Sequence, residues 1–515
     1  MQTLAGKRFS VPISLLLAGI FFLGVFCVQS RHELWRDELH SWLIARDSHS
    51  LPELLHHKRH EGHPALWYLI LFAVTRLSDS PRAMQLIHLL VATASIFLLL
   101  RFSPFSRGEK LLLLANYYLF YEYGVLSRNY ASGIFFVFAF CALGTRRTRQ
   151  PCLAALFLLL VMQTSFHGLI LALLFAGFLL RECWAGDWSE WFRRIRLPVL
   201  ILLLGLFVSL RVMIPPPDCG IYTGGHGSWK WSRVFPIGAI PFTSLVPFPY
   251  PTQSFWNTNL LDGWPSLQAA LALLLAAWLV LALWRRRLLA LGFGLGTAVY
   301  LLFHYLKFSG YARHHGHVFL LLLGCLWLAP GFPSRPIRSR CLERAVEAAS
   351  RSLAWLLPAI FALAAAAGLY ASRKDWKYPF TDSPAAAAFI RRAGLAELPL
   401  AGDVDDAVLA FPILLGTEIY YPRSDTEGTF VTYDRSRRWR KMRYWEILGR
   451  VGKKAAASAD DFLLILNYDI PSSVLDPWQE EHPPGTPGRL EYLAEFEEGI
   501  VPDEHFRLFR VTGAR

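Results

Sequence analysis

The sequence predicts an α-helical polytopic membrane protein of about 11 to 13 spans, followed by a soluble C-terminal domain of α/β or α+β type. Three observations predict this. Apolar residues fill 54% of the 515 positions and charged residues only 18%. The apolar residues come in blocks too long and too uniform for ordinary core helices. The tail beyond residue 371 loses those blocks and alternates helix and strand signals instead.

The spans read from the apolar blocks are 11–29, 64–78, 82–101, 110–126, 129–145, 151–166, 167–181, 197–214, 264–284, 288–307, 316–330 and 353–371. Lys7 and Arg8 precede the first of these, and no small-residue cleavage site follows it, so it reads as a retained helix rather than a removed signal peptide. Residues 1–371 carry 33 Lys/Arg against 16 Asp/Glu, whereas 372–515 carry 19 against 23. The positive charge therefore belongs to the membrane part. It gathers at Arg146-Arg147-Arg149, Arg193-Arg194-Arg196, Arg285-Arg286-Arg287 and Arg335-Arg338-Arg340, in short loops where arginine marks the cytoplasmic side. That placement accounts for the basic balance without nucleic-acid binding, and it puts 30–63, the turns near 163–168 and 308–315, the loop 215–263 and the tail on the outer side. Twelve spans and a cytoplasmic N-terminus would leave the tail inside, so one block, 64–78 or part of 110–145, is expected not to cross. Of the seven cysteines only Cys219 falls in a long outer loop, which excludes a disulfide framework.

Within 30–63, Leu39, Trp42 and Leu43, then Leu51, Leu54 and Leu55, recur at helical spacing. They predict two short amphipathic helices lying along the membrane, separated at Pro52. The loop 215–263 is rich in proline and aromatic residues and contains Gly224-Gly225, as expected of a lid or substrate-contact surface. In the tail, 383–394 reads as a helix opened by Ser383-Pro384, and 462–466 as a buried strand.

The candidate chemistry clusters at outward helix ends. Asp37 and Glu38 follow the first span; on a helix adjacent residues point about 100° apart, so only one can aim into a pocket. A carboxylate there suits the removal of a proton from an acceptor hydroxyl or amine, or simply completes a helix N-terminus. Glu61-Gly62-His63-Pro64 adds an acid and an imidazole, suited to a divalent cation such as Mg, Mn or Zn, although seven of the sixteen histidines lie in 30–63 and can be interfacial only. Ser127-Arg128-Asn129-Tyr130 and Tyr311-Ala312-Arg313-His314 place arginines where burial is costly unless an anion meets them. Phosphate fits the guanidinium fork, while snorkelling to lipid headgroups is the other reading. His167 and Glu122 are weaker candidates of the same kind.

Taken in order, the Asp37-Glu38 pair, the long first loop, the entry His63-Pro64-Ala65-Leu66-Trp67-Tyr68, the Ser127–Tyr130 boundary and the soluble tail resemble the GT-C glycosyltransferases. The likeness is to bacterial members similar to dolichyl-phosphate-mannose protein mannosyltransferases and lipid A aminoarabinose transferases. The resemblance covers about 1–330 and departs from the usual pattern in having Pro64-Ala65 rather than Pro-Pro. It implies an inverting transfer of one sugar from a polyprenyl-phosphate carrier to a glycan, lipid or protein acceptor on the extracytoplasmic face of a bacterial inner membrane. It further implies that Asp37 is the base, Glu38 the motif's second acid, Glu61 and His63 a position near acceptor or metal, and Arg128 a phosphate ligand. On charge grounds Arg313 joins Arg128, with Tyr130, His314 and His167 as further substrate-binding candidates. The alternative is a transporter or flippase for a lipid-linked anion, which would more often show internal repeats and mid-membrane acids; neither is evident.

Overall fold

The computed structural model describes residues 8–184, 186–220, 229–434, 442–458, 460–471 and 489–512. Gly224-Gly225 lies outside them. Helix α1 (Val11–Gln29) is followed by α2 (Arg36–Arg46), α3 (Leu51–His57), α4 (Leu66–Thr75) and α5 (Arg82–Phe102). Next come α6 (Arg107–Leu114), a π-helix (Tyr117–Val125), α7 (Tyr130–Ala142), α8 (Arg146–Arg149), α9 (Pro151–Met162), α10 (Phe166–Glu182) and α11 (Trp188–Met213). The outer loop holds α12 (Val234–Gly238) and α13 (Ile240–Leu245), and α14 (Pro265–Leu283), α15 (Arg287–Leu306), α16 (Ala312–Leu328) and α17 (Arg340–Lys377) complete the bundle. Among the described residues, five helical segments are long and apolar enough to cross a membrane by length and composition.

The element starts are written locally. Ser106 and Glu109 form a reciprocal box at α6, the Ser106 hydroxyl accepting from the Glu109 N–H at 3.2 Å and the Glu109 carboxylate accepting from the Ser106 N–H at 2.7 Å. Asn116 accepts from the Tyr118 N–H at 3.0 Å and opens the π-helix. Pro151 and Pro265 stand at the first positions of α9 and α14, where the missing N–H costs nothing.

The segment 64–78, one of the two blocks suspected of not crossing, contains only the ten residues of α4. Ten residues rise roughly 15 Å, half of a hydrocarbon core. Trp67, Tyr68 and Leu71 of α4 instead pack with Trp42, Ile44 and Ala45 of α2. Among the described residues the bundle is built from α1, α5, α6 with the π-helix, α7, α9, α10, α11, α14, α15, α16 and α17. The arginine clusters share one end, where Arg147 meets Glu182 at 2.8 Å and the Arg335 N–H reaches the Arg285 carbonyl at 2.8 Å. Asp37, Arg128, Arg313 and the tail share the other.

The tail holds a six-stranded mixed sheet in the order β3-β2-β1-β4-β6-β5, with β1 Leu400–Asp403, β2 Ile419–Tyr421, β3 Thr426–Gly428, β4 Phe462–Leu466, β5 Arg489–Phe496 and β6 Phe506–Thr512. β1 runs parallel to β2 and β4, and the other pairs are antiparallel. Helices α18 (Ser383–Arg392), α19 (Phe411–Leu415) and α20 (Tyr444–Ser458) cover it, so the expected helix at 383–394 and strand at 462–466 are present. One face of the sheet buries Leu463, Ile465, Phe506 and Leu508 with Leu39 and Leu43 of α2. The other buries Leu464 and Phe509 against Leu448 and Val451 of α20. α2 therefore does not lie on a lipid surface, as its amphipathic spacing predicts; its apolar side completes the core of the tail domain.

Gly368 lets α17 press on the start of the π-helix. A Cβ there would stand inside contact distance of the Ala115 carbonyl and 2.9 Å from the Tyr117 nitrogen. Gly368→Ala is expected to destabilise the purified protein by about 1–3 kcal/mol, read as a lower melting temperature in detergent. Gly177→Ala, where nothing lies within 4 Å of the new methyl, is expected to leave that temperature unchanged or slightly raised.

Candidate active site

The site is built on the first turn of α2. Glu38, fully buried, turns into the protein. Its Oε1 accepts from the Ser127 N–H at 2.6 Å, and its Oε2 lies 3.0 Å from His32 Nε2. His32 Nδ1 in turn lies 2.9 Å from Asp375 at the end of α17. An imidazole between two carboxylates thus ties α2, α17 and the Ser127-Arg128 turn together. Burial opposes protonation of His32, but Asp375 and Glu38 outweigh it and raise its pKa well above the ordinary value.

Asp37 points the other way, as the 100° offset predicts. Its Oδ2 meets Arg128 Nη1 at 2.8 Å and Arg313 Nη2 at 3.1 Å, and its side chain is 30% exposed. This carboxylate sits in a clamp of two guanidinium groups. Burial alone would raise the Asp37 pKa; Arg128, then Arg313, Arg36 and His40 outweigh it and hold the carboxyl below the usual carboxylate range. Asp37 is therefore ionised and, while clamped, a weak base.

Arg313 stands at the N-terminal turn of α16 inside an aromatic cage. Its guanidinium carbon lies 4.6 Å from the Tyr311 ring centroid, 5.2 Å from Trp35 and 5.5 Å from Trp256. Arg313 is 7% exposed, and its Nε and Nη1 are buried with no hydrogen-bond partner among the described residues. Such donors are costly to leave unpaired, and they face a site already holding one anion. Trp256 also donates to buried Glu122 at 3.1 Å. Trp256 was read only as part of the aromatic loop 215–263; nothing in sequence spacing ties it or Trp35 to Arg313.

Glu61 and His63 lie on the neighbouring wall. Glu61 Oε2 is 3.4 Å from His40 Nδ1 and accepts from the Tyr68 hydroxyl at 3.2 Å. His63 Nδ1 turns to the Glu61 backbone carbonyl at 2.7 Å. Burial works against protonation of His40, but Glu61 outweighs it and raises the His40 pKa. No group of three or more His, Cys, Asp or Glu side chains is arranged to hold a metal among the described residues. The Glu61 carboxylate is engaged by His40 and Tyr68, and His63 Nδ1 by a backbone carbonyl.

Tyr130, His314 and His167 form a second layer. Tyr130 meets His314 and His317 edge-on, with centroids 6.0 and 5.6 Å apart. His167 stacks among Tyr300, His304, His314 and His317, its Nε2 3.3 Å from His304 Nε2. These rings back the Arg313 turn rather than contact Asp37. The tail closes the opposite side: Arg36 pairs with Asp503, its N–H donates to Glu504 at 3.0 Å, and His40 bonds the Val431 carbonyl at 2.8 Å. Sequence reasoning did not assign the tail to the site.

His32→Ala leaves two buried carboxylates without their shared partner and is expected to cost about 3–5 kcal/mol, measured by thermal unfolding. Because the folded pKa of His32 is raised, its contribution is complete below an unfolded value of about 6.5 and fades as pH climbs through the folded value. The wild-type melting temperature should fall on the alkaline side, and His32→Gln should lack that fall.

No protein-family model matches the chain, and no curated protein matches it. Among solved structures, ArnT from Cupriavidus metallidurans in the apo state is similar, with a TM-score of 0.49 and 12% identity over 98% of this chain and 99% of that one.

Proposed function

We propose that the chain is a membrane glycosyltransferase that moves one sugar, with inversion, from a polyprenyl-phosphate carrier to an acceptor hydroxyl or amine at the Asp37 end of the bundle, on the extracytoplasmic face. The observation that carries this reading is the sharing of one Asp37 oxygen by Arg128 and Arg313, the latter holding further buried N–H groups without partners. Two converging arginines suit a phosphodiester, and the arginine clusters at the far end support the sidedness.

The clamp couples donor to base. The phosphate of an arriving carrier competes with Asp37 for both guanidinium groups. As they turn to the phosphate, Asp37 loses the charges that depress its pKa and becomes a competent base. It takes the proton from the acceptor O–H or N–H while the acceptor atom attacks the anomeric carbon from the face opposite the phosphate. The bond from that carbon to the phosphate oxygen breaks, and polyprenyl phosphate leaves with its charge held by Arg128 and Arg313. Glu38 positions Arg128 through the Ser127 N–H and does not touch the reacting atoms. Tyr130, His314 and His167 support the Arg313 turn. No step is routed through a metal.

Asp37→Asn removes both the base and the anion that competes with the donor. Its kcat for sugar transfer should fall about 10²–10⁴-fold while the donor Kd stays the same or tightens; wild-type turnover by the purified variant would remove Asp37 from the mechanism. Arg128→Ala and Arg313→Ala should each raise donor KM and lower kcat, and unchanged values in both would sink the phosphate assignment. The acid limb of kcat, which reports the donor complex, should lie at higher pH than that of kcat/KM, which reports the clamped free enzyme. Coincident limbs would show that donor binding leaves the clamp intact.

A further inference from the structure

A cavity of about 1180 Å³ opens at the arginine-rich end of the bundle. Arg8, which lines it, precedes α1, and Asp37 follows the far end of that helix, so the two sites are separated by the thickness of the bundle. Six arginines from five separate stretches of chain converge on this cavity: Arg8, Arg147, Arg181, Arg286, Arg287 and Arg335. Glu182 is the one carboxylate among its lining residues, and Arg147 already holds it through two parallel bonds of 2.9 and 2.8 Å. The rest of the wall is largely apolar, with Phe102, Leu288, Leu291 and Trp327.

Topology alone requires arginines in the loops at this end, but not that loops far apart in sequence aim them into one concavity. Arg193, Arg194 and Arg196, at the start of α11, satisfy the same rule and do not line the cavity. Like charges gathered in a hollow with low-dielectric walls repel one another and focus a positive potential into it. An anion relieves that repulsion, and guanidinium groups arranged around a space select phosphate oxygens. The mixed wall adds room for an attached apolar group.

We propose that this cavity is a second binding site, distinct from the Asp37 site and independent of its assignment, for a phosphate-bearing anion. The source is either a phospholipid headgroup of the adjoining leaflet or a soluble phosphate compound, and the chemistry that recognises both is the same.

The test uses the purified full-length chain with two probes. Phosphatidylglycerol against phosphatidylcholine in mixed micelles, followed by native mass spectrometry, reads lipid retention; calorimetric titration with inorganic pyrophosphate reads the soluble arm. At roughly fivefold per arginine, Arg181→Gln, Arg287→Gln and Arg335→Gln together should weaken the bound probe about a hundredfold. The control triple Arg193→Gln, Arg194→Gln and Arg196→Gln should leave it unchanged. Preference for phosphatidylglycerol with no pyrophosphate binding identifies a lipid site; pyrophosphate binding lost in the cavity triple identifies a soluble-phosphate site. The proposal is overturned if wild type binds neither probe, if the cavity triple binds as wild type, or if both triples weaken alike, which would mean a diffuse surface field. Arg181, Arg287 and Arg335 are exposed, so folding should survive. Should the triple unfold, Arg335→Gln alone is expected to give a loss of about fivefold, and no loss in it would equally overturn the site.

Discussion

The placement of α2 is the constraint on which the rest of the architecture depends. One helix of eleven residues contributes to three hydrophobic assemblies: Trp35 at its cap joins the bundle core, Trp42 and Ala45 pack on α4, and Leu39 and Leu43 enter the core of the tail domain. A helix buried on every side has no freedom to rotate. The direction in which Asp37 points is therefore set by apolar packing, and the His32 link to Glu38 and Asp375 fixes it against α17. Burying those two carboxylates is made tolerable by the imidazole that answers both and by the Ser127 N–H that donates to Glu38.

On that rigid support the proposed reaction is a matter of competition between anions. A carboxylate held by two arginines is stable and unreactive, and the same two arginines suit a phosphate. The resting contact and the working contact then use the same donors, so charge is balanced before and after the donor arrives. The cage of Trp35, Trp256 and Tyr311 contributes by replacing water around Arg313 with π-faces, which keep the cation bound without satisfying its N–H groups.

Much of this was legible in the sequence, for physical reasons that also mark where legibility ends. The membrane class, the two short helices after the first span and the mixed tail all rest on local periodicity and charge. Asp37, Arg128 and Arg313 each stood out because ionised groups at helix ends are costly. That they would meet on one oxygen was not readable, since nothing local records a contact between residues 37 and 313. The α4 segment was one of two blocks suspected of not crossing, because its residues are as apolar as those of a span and only its length tells otherwise. Leu39 and Leu43 were read as a lipid-facing stripe because an amphipathic face looks the same whether lipid or protein covers it. Glu61 and His63 stood out by the donor chemistry of a metal site, and the contact of His63 Nδ1 with the Glu61 backbone carbonyl was not readable from the sequence.

The sharing of Leu39 and Leu43 with the tail has a consequence for how the molecule comes into being. The first loop leaves the ribosome long before β1, β4 and β6, and until those strands arrive the inner side of α2 has nothing to cover it. Every intervening helix can insert while the reaction centre is still open. Completion of the centre then reports that the whole chain has been made, so a prematurely terminated product would reach the membrane without an organised Asp37.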